Sequence, residues 1–403
     1  MKQALVLCAG EGTRMRPLTD NKSKVMLPVG GKPLLQHTLK KLRNYGVDEF
    51  VFVVNYEKQQ IMDYFGDGSN YDVDIDYVEQ DSPKGTADAI GTAKEEINER
   101  FVALNGDLFL KGDIGSLFEK KTRAVVGVKE VSDISRFGEI EEKNGRVFGI
   151  QEKPGEERSG LANIGLYVFP PEIFDAIKET ALSERGEYEI TDSLEILIND
   201  YDVEVGCAEI GGEWLDVGRP WDLLTANEQK MKKLNREIKG EVEDGARVKG
   251  DVVVEDGAFV KDGAYIEGPC YIDKDAKVGP NCYLRKNTVL GKNVKIGNAV
   301  EVKNSIILKD TNIGHLSYVG DSVVGEACNF GAGTKVANLR HDEENVKMNV
   351  KGREVDTGKR KLGTIMGNKV KTGINTSINC GTKLSSGETT KPGEEVMEDK
   401  PKN

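Results

Sequence analysis

The sequence predicts an α/β domain with a Rossmann-like parallel sheet, followed by a parallel β-helix of hexapeptide repeats. Two observations divide the 403-residue chain in this way. Up to about residue 220, short runs rich in β-branched residues alternate with segments whose apolar residues have helical spacing. From about residue 242, the apolar period becomes six residues, which fits neither a helix nor a flat strand.

The first domain starts with a predicted strand, helix and second strand. The runs QALVLCA at 3–9 and EFVFVVN at 49–55 predict buried strands, and the leucines within 32–46 have helical spacing before a glycine. A further strand, RFVALNGD at 100–107, ends in polar residues. Because open α/β sheets bind ligands at the carboxyl ends of their strands, we expect a ligand crevice there.

The second domain is predicted from an aliphatic residue at every sixth position. The twelve residues of this series are Val242, Val248, Val254, Val260, Ile266, Ile272, Val278, Leu284, Leu290, Ile296, Val302 and Leu308. A triangular coil turns one such residue inward on each side and needs small residues at its corners. Cys270, Cys282 and Cys328 fit as buried corner residues rather than reactive thiols. Resemblance to other hexapeptide-repeat proteins implies a left-handed coil and a homotrimer.

A helix is predicted to join the two domains. The segment 221–240 has leucine, methionine and isoleucine at heptad spacing and ends at Gly240. The predicted organisation is therefore a domain over 1–220, a linker helix over 221–240 and a coil over 241–403.

Composition excludes several classes of partner. With 56 Lys and Arg against 68 Asp and Glu, the net charge is −12, which argues against nucleic acid and anionic membrane surfaces. No apolar run is long enough to span a membrane, so we expect a cytoplasmic protein. The six cysteines lack the spacing of a zinc site.

A glycine-rich loop after the first strand predicts a phosphate site. Gly10 and Gly12 let the backbone aim N–H groups at an oxyanion, and Thr13, Arg14 and Lys24 follow them. The stretch GEGTRMRPLT…SKVMLPVGGKPLL resembles the signature of sugar-1-phosphate nucleotidylyltransferases. The resemblance implies that Arg14 and Lys24 are the two catalytic cations, which stabilise charge as one polyphosphate attacks another.

The same resemblance implies a metal site and a base site. Asp107 in NGD and Asp216 in WLDVG match the carboxylates that hold Mg²⁺. In EQDSPKGTADAIGTA, Gln80 matches the residue that pairs with the pyrimidine, while Gly85 and Thr86 let the backbone approach it. Uracil and thymine differ by one methyl group, so UTP and dTTP both stay open.

The sugar 1-phosphate is expected on four matching residues. They are Gly138, Glu152, Lys153 and Asn163. Glu152 would accept sugar hydroxyl protons, Lys153 would neutralise the sugar phosphate, and Asn163 would bond a 2-acetamido group. For Glu189, in GEYEITDSLEIL, the choice between a helix cap and a sugar contact stays open.

A second site is predicted around His315, where the hexad register shifts between Leu308 and Tyr318. The segment resembles the acetyltransferase site of bifunctional enzymes that make UDP-N-acetylglucosamine. His315 matches the general base that deprotonates the sugar's 2-amino group as it attacks acetyl-CoA. The residues that match contacts to the sugar phosphate and its hydroxyl and amine groups are Arg285, Lys303, Tyr318 and Asn329. Those beside the acetyl group are Ala332 and Asn338.

Two features of the carboxyl-terminal segment depart from a regular coil. Alternating apolar residues up to a Lys351-Gly352 turn predict a hairpin outside the coil. In the last segment, Thr389, Thr390 and Lys391 occupy positions where aliphatic residues are expected. We therefore expect a degraded or frayed final coil.

The resemblance implies a Mg²⁺-dependent enzyme that acetylates glucosamine 1-phosphate and transfers UMP or dTMP to the sugar phosphate. One alternative is a glucose-1-phosphate thymidylyl- or uridylyltransferase whose coil serves only to oligomerise. Another is a non-catalytic regulatory subunit, which would be expected to lose Arg14 and Lys24, both present here. Glucosamine and galactosamine are not distinguished.

Overall fold

The computed structural model describes residues 1–135, 137–152, 154–155 and 157–401. They form two compact units. The first comprises Met1–Glu11, Ser23–Met26 and Leu34–Asp216, and the second comprises Gly12–Lys22, Leu27–Pro33 and Val217–Asn403. The contiguous boundaries at 220 and 240 stay a prediction.

A nine-stranded mixed sheet forms the centre of the first unit. In spatial order its strands are Asp74–Glu79, Glu49–Val54, Gln3–Leu7, Phe101–Asn105, Gly160–Phe169, Ala124–Val131, Val205–Glu209, Arg146–Glu152 and Gly138–Lys143. The first four are parallel, as predicted. Gly160–Phe169 runs antiparallel to both of its neighbours, so the sheet as a whole is mixed.

One antiparallel pair in the sheet has a local cause. Gly138–Lys143 and Arg146–Glu152 are joined by Asn144 and Gly145, which both have positive φ, 55° and 79°. Such a two-residue turn produces an antiparallel hairpin, whereas parallel neighbours need a long crossover.

Six helices of the first unit pack beside this sheet. They are Leu34–Arg43, Lys58–Phe65, Thr86–Thr92, Gly115–Glu119, Ile173–Glu179 and Ile190–Asn199. The first confirms the predicted leucine pattern, because Leu35, Leu39 and Leu42 are fully buried. A separate two-stranded sheet pairs Leu108–Leu110 with Trp214–Asp216. No helix in the described ranges is long and apolar enough to cross a membrane.

The predicted linker helix is shorter than expected. It spans Pro220–Met231, where proline occupies the first turn and the Asp222 carboxylate accepts the Arg219 backbone N–H at 2.7 Å. Glu237–Ile238 is already a strand that pairs with Val253–Val254. The helix prediction over 232–240 is therefore wrong, because strand pairing in the coil overrides the helical spacing.

Three parallel sheets form the sides of the predicted β-helix. Side 1 contains Glu237–Ile238, Val252–Val254, Cys270–Ile272, Thr288–Leu290, Ile306–Ile307, Val323–Val324, Ile365–Met366 and Lys383–Leu384. Side 2 contains Glu241–Val242, Phe259–Val260, Lys277–Val278, Lys295–Asn298, Asn312–His315 and Asn329–Phe330. Side 3 contains Arg247–Lys249, Tyr265–Glu267, Tyr283–Leu284, Glu301–Lys303, Tyr318–Gly320, Lys335–Val336, Ser377–Ile378 and Glu395–Val396. A short hairpin of Pro28–Val29 and Lys32–Pro33 belongs to the same unit.

The coil has the predicted inward residues and small corners. The hexad series from Val254 to Val302 is buried in one continuous core. The corner cysteines belong to this core, and burial raises the pKa of Cys270 and Cys282 to about 12 and that of Cys328 to about 11. Protonated, inaccessible thiols confirm the prediction that these cysteines are structural.

The hexad register shifts earlier than predicted. Ile307 is fully buried at the inward position that the series gave to Leu308. The side between Val302 and Ile307 is thus one residue short, and a second short side lies between Val319 and Val324. The predicted break after Leu308 is therefore misplaced, although two breaks flank the His315 segment.

Each short side has the same corner chemistry. Asn304 and Asp321 adopt φ of 46° and 49°, a left-handed conformation that these residue types tolerate. The next residues, Ser305 and Ser322, each donate a hydroxyl hydrogen bond of 2.7 Å to the carbonyl oxygen two residues earlier. These bonds close the turn with one residue fewer than the other corners use.

The predicted hairpin is confirmed. Lys347–Val350 pairs antiparallel with Arg353–Asp356, and Val346 and Met348 are buried beneath it. Residue 336 ends one rung of side 3 and the next rung of that side begins at Ser377, so the sheet continues across the excursion.

The expectation of a frayed final coil is wrong. Lys383–Leu384 and Glu395–Val396 extend sides 1 and 3 in register. Thr390 is 8% exposed, and its hydroxyl lies 2.7 Å from that of Thr376. Thr390 therefore replaces an inward aliphatic residue while the coil stays paired, because its hydroxyl has a buried hydrogen-bond partner.

Candidate functional sites

A cavity of about 320 Å³ lies at the carboxyl ends of the parallel strands in the first unit. Six residues that the sequence predicts for nucleotide, catalysis or metal line it: Gly10, Lys24, Gln80, Gly85, Thr86 and Asp107. The structure thus brings together residues that are up to 97 positions apart in the chain, from 10 to 107.

Lys24 and Asp107 form an ion pair in this cavity. The Lys24 side chain is 10% exposed and that of Asp107 is 21% exposed, so both charges are largely removed from water. Lys24 begins a short 3-10 turn, Lys24–Met26, and Asp107 follows the strand Phe101–Asn105. A shielded pair of this kind interacts strongly, because the local dielectric constant is low.

The wall of the cavity depends on a glycine. Gly85 has a φ of 120°, and a Cβ atom there would lie 2.4 Å from the Tyr188 carbonyl oxygen. Beside it, the Thr86 hydroxyl accepts the Ile190 backbone N–H at 3.0 Å. Only glycine allows the two backbone segments to approach this closely.

The second predicted metal ligand is near the first in the fold. Asp216 ends the strand Trp214–Asp216 and pairs with Leu108, the residue after Asp107. Among the described residues, no group of three or more His, Cys, Asp or Glu side chains is arranged to hold a metal ion. The candidate ligand set here is thus two carboxylates.

Gly12, Thr13 and Arg14 belong to the second compact unit. Gly12 has a φ of 64° and precedes the 3-10 turn Thr13–Met15, and its carbonyl oxygen accepts the Thr19 hydroxyl at 2.8 Å. Arg14 is exposed. The loop has a defined shape that presents a cation to solvent.

Three of the four predicted sugar residues lie together in the first unit. A Cβ atom on Gly138 would lie 2.9 Å from the Glu152 carboxylate and 3.6 Å from Cβ of Asn163. The Asn163 amide donates to the Tyr167 hydroxyl at 2.8 Å. Lys153, the fourth predicted residue, lies outside the described residues.

Sequence reasoning missed two residues beside this group. The Arg185 guanidinium contacts the Glu152 carboxylate at 3.3 Å and that of Glu189 at 2.5 Å. The Thr191 hydroxyl is buried without a hydrogen-bond partner in the described part of the chain. Glu189 therefore faces this group rather than capping the helix, since its side chain makes no cap bond. The arginine immediately before GEYEITD was the available signal.

A second group forms on side 3 of the coil. The Arg285 guanidinium contacts Glu301 at 2.9 Å, which raises the pKa of Arg285, and the Lys303 ammonium contacts Asp321 at 3.0 Å. The Asn338 amide donates to the Tyr318 hydroxyl at 3.1 Å and to the Asp321 carboxylate. Asp321 thus joins Lys303 to Asn338, which in turn bonds Tyr318, while Arg285 forms a separate pair with Glu301.

Asp321 is the residue of this group that sequence reasoning missed. It is 3% exposed and accepts bonds from Lys303, Asn304 and Asn338. Burial, followed by the charge of Asp321, raises the pKa of Tyr318. No pattern around Asp321 signalled this role, because the contacts join separate coils.

His315 lies at the corner between sides 2 and 3. Its imidazole is exposed, and its carbonyl oxygen accepts the Ser317 hydroxyl at 2.8 Å and the Gly333 N–H at 3.3 Å. Ala332 lies on the next turn of this corner, whereas Asn329 lies on side 2, where its amide oxygen accepts from Asn312 at 3.0 Å. Within one copy of the chain, Asn329 therefore lies on a different face of the coil from the group on side 3.

The fold and these residues define a nucleotidyltransferase domain joined to a β-helix. Residues 3–233 match the nucleotidyl transferase family, and residues 266–392 match the GMPPB C-terminal domain. The first part also resembles two solved structures. One is described as a glucose-1-phosphate thymidylyltransferase from Bacillus anthracis, with a TM-score of 0.52 and 30% identity over 56% of this chain and 94% of that one. The other is a UDP-glucose pyrophosphorylase, with a TM-score of 0.52 and 27% identity over 58% of this chain and 99% of that one.

Relatives that match almost the whole chain identify the family. The bifunctional protein GlmU of Methanocaldococcus jannaschii is 45% identical over 95% of this chain and 92% of its own. The bifunctional sugar-1-phosphate nucleotidylyltransferase/acetyltransferase of Sulfurisphaera tokodaii is 39% identical over 98% of both chains. The chain belongs to this family of bifunctional nucleotidylyltransferase/acetyltransferases.

Proposed function

We propose that the enzyme converts glucosamine 1-phosphate into a nucleotide-activated N-acetylglucosamine. The coil transfers an acetyl group from acetyl-CoA to the 2-amino group. The first unit then transfers UMP or dTMP from the triphosphate to the sugar phosphate and releases pyrophosphate. The observation that carries the proposal is that one cavity is lined by Gly10, Lys24, Gln80, Gly85, Thr86 and Asp107.

The cations of the proposed nucleotidyl site oppose the repulsion between two polyanions. A sugar phosphate oxygen attacks the α-phosphorus, and the leaving pyrophosphate gains charge as its bond breaks. In this proposal Lys24 contacts the transferred phosphoryl group and Arg14 binds the triphosphate. Fixed positive charges lower the barrier because they need no reorganisation as charge develops.

Asp107 and Asp216 are the proposed Mg²⁺ ligands. Two carboxylates suit Mg²⁺, which keeps several waters and takes phosphate oxygens as its other ligands. The ion, when bound, would neutralise charge on the phosphates. If the Asp107 carboxylate bound the ion, it would no longer pair with Lys24, and the Lys24 ammonium would be available to the phosphoryl group.

The group around Gly138 is the proposed site of the sugar. Glu152 accepts hydroxyl protons, Asn163 bonds the acetamido group, and Lys153 neutralises the sugar phosphate. The absence of a side chain at Gly138 supports this assignment, because a Cβ atom would crowd Glu152. The buried Thr191 hydroxyl offers a further polar contact.

The proposed acetyl site combines His315 with the side 3 group. His315 takes a proton from the 2-amino group as this group attacks the thioester, the role of a general base. Arg285 and Lys303 bind the sugar phosphate, with Tyr318 and Asn329 on its hydroxyl and amine groups. Ala332 and Asn338 lie beside the acetyl group.

We also propose a homotrimer in the cytoplasm. Because Asn329 and Tyr318 lie on different sides of one coil, a neighbouring copy would be needed to bring both to one substrate. Leu316 is 61% exposed beside His315, and Ile374 is 53% exposed on the same corner. Apolar side chains at these positions suit contact with a second copy. Sedimentation at several concentrations tests the trimer.

Two assays test the proposed activities. With Mg²⁺ present, pyrophosphate release is measured for each pairing of UTP, dTTP, CTP, ATP and GTP with glucose, glucosamine, galactosamine and N-acetylglucosamine 1-phosphates. Turnover with no pair would refute nucleotidyl transfer. Thiol release from acetyl-CoA with glucosamine 1-phosphate tests the second activity. No release would favour the alternative in which the coil only oligomerises.

A further inference from the structure

The amide of Gln80 is held by a carboxylate at the edge of the nucleotide cavity. Gln80 is 3% exposed and lines the cavity, and its Nε2 donates to the Asp88 carboxylate at 2.5 Å. Asp88 lies in the first turn of the helix Thr86–Thr92. This contact constrains the orientation of the Gln80 amide.

The backbone on both sides of the contact is fixed. The Gln80 N–H donates to the Val54 carbonyl at 3.0 Å, and its carbonyl accepts the Asn55 amide at 2.6 Å. The Asp88 oxygen that accepts from Gln80 also accepts the Lys84 backbone N–H at 3.3 Å. Neither partner can move away without losing other hydrogen bonds.

An ionised carboxylate accepts hydrogen bonds and donates none. If the Gln80 amide rotated by half a turn, its Oε1 would face the Asp88 oxygen and two acceptors would meet. Asp88 therefore permits one of the two amide orientations. In that orientation the remaining Nε2–H and Oε1 are available to a ligand in a fixed order.

The order of donor and acceptor distinguishes two kinds of pyrimidine. Uracil and thymine present an acceptor at position 4 and a donor at position 3, whereas cytosine presents the reverse pattern. For a base held in one position, rotating the amide exchanges these two preferences. We propose that Asp88 is a specificity-determining residue, which selects uracil or thymine over cytosine by preventing rotation of the Gln80 amide. This inference rests on the proposed function, in which Gln80 pairs with the base.

Substitutions at Asp88 test the inference, because they should change the ratio of kcat/KM values between nucleotides. We would measure kcat/KM for UTP, dTTP and CTP with one sugar phosphate in wild type, Asp88→Asn and Asp88→Ala. Asparagine has the same shape but can donate as well as accept, so both orientations of Gln80 become possible. The control is Asp76→Asn, at an exposed position of the strand Asp74–Glu79.

In both Asp88 variants, we expect the preference for UTP over CTP to fall by about tenfold, within the discrimination that one bidentate pair provides. The control should keep the wild-type ratio. A merely structural role would lower kcat/KM for all nucleotides in equal proportion, and that result would overturn the inference. A wild type that turns over neither UTP nor dTTP would instead overturn the proposed function.

Discussion

The Lys24 ammonium is paired with the Asp107 carboxylate inside the nucleotide cavity. Replacing Lys24 with Met keeps an apolar stem of similar length and removes the charge. Loss of one transition-state contact of this kind costs roughly 100-fold to 1,000-fold in kcat. We expect pyrophosphate release to fall by about that factor while acetyl transfer is retained. Lys58→Met, which breaks the exposed pair with Glu79, is the control, and an equal loss in both variants would contradict the prediction.

Replacing Arg14 should lower catalysis without lowering stability. Because its side chain is exposed, Arg14→Ala should leave the free energy of unfolding within about 0.5 kcal/mol of wild type. Nucleotidyl transfer should fall by about 100-fold, because the triphosphate loses a fixed cation. Urea unfolding and a pyrophosphate assay measure the two quantities. Arg43→Ala, at the exposed pair with Asp72, should change neither, and wild-type turnover in Arg14→Ala would refute its proposed role.

Chelation should separate the two activities. Excess EDTA is expected to abolish pyrophosphate release, since the phosphates lose the cation proposed on Asp107 and Asp216. Thiol release should continue, because the proposed general base His315 needs no metal. Added Mg²⁺ should restore the first activity. Full nucleotidyl transfer in EDTA would exclude the proposed metal site.

His315→Ala should lose acetyl transfer by at least about 100-fold, the contribution of a positioned general base. Pyrophosphate release with N-acetylglucosamine 1-phosphate should be unchanged, since this substrate needs no acetylation. His341→Ala is the matched control, because His341 is also exposed. Thiol release at the wild-type rate in His315→Ala would show that another group takes the proton.

The cysteines should react in the order of their burial. At pH 8, a thiol whose pKa is about 12 is ionised in only about one molecule in 10,000, so Cys270 and Cys282 should resist iodoacetamide. Cys380 is the least buried cysteine and should react first. Mass spectrometry before and after denaturation in urea measures the labelling. Modification of Cys282 in the native protein at the rate of Cys380 would contradict the coil packing.

Local patterns in the sequence predicted most of the nucleotide cavity. Gly10, Lys24 and Gln80 each lie in a continuous motif, and the parallel strands bring those motifs to one edge of the sheet. Arg185 and Asp321 were missed, because their roles depend on contacts between segments that are distant in the chain. Arg185 had one local signal, its position directly before GEYEITD, whereas nothing around Asp321 in the sequence indicated its contacts.

In the fold, too, local sequence patterns were predicted correctly, whereas features that depend on contacts between separate segments were not. The six-residue period predicted three sides and a buried core, because each inward residue repeats its neighbour's environment. The period did not predict that Ile307 replaces Leu308, since the shorter corner depends on the Asn304 backbone and the Ser305 hydroxyl. The linker helix was predicted to be too long for a related reason: Ile238 is part of a strand, because it pairs with Val254 in the coil.

The edge between sides 3 and 1 accepts changes in chain length without loss of register. Two of its corners are one residue short, and the segment from Val336 to Ile365 leaves the coil at this edge and returns to it. The departures from the six-residue repeat that involve chain length thus share one edge of the coil. A protein engineer who wished to graft a foreign loop onto the coil would choose the Lys351-Gly352 tip of that hairpin, where added chain length leaves the rungs above and below aligned.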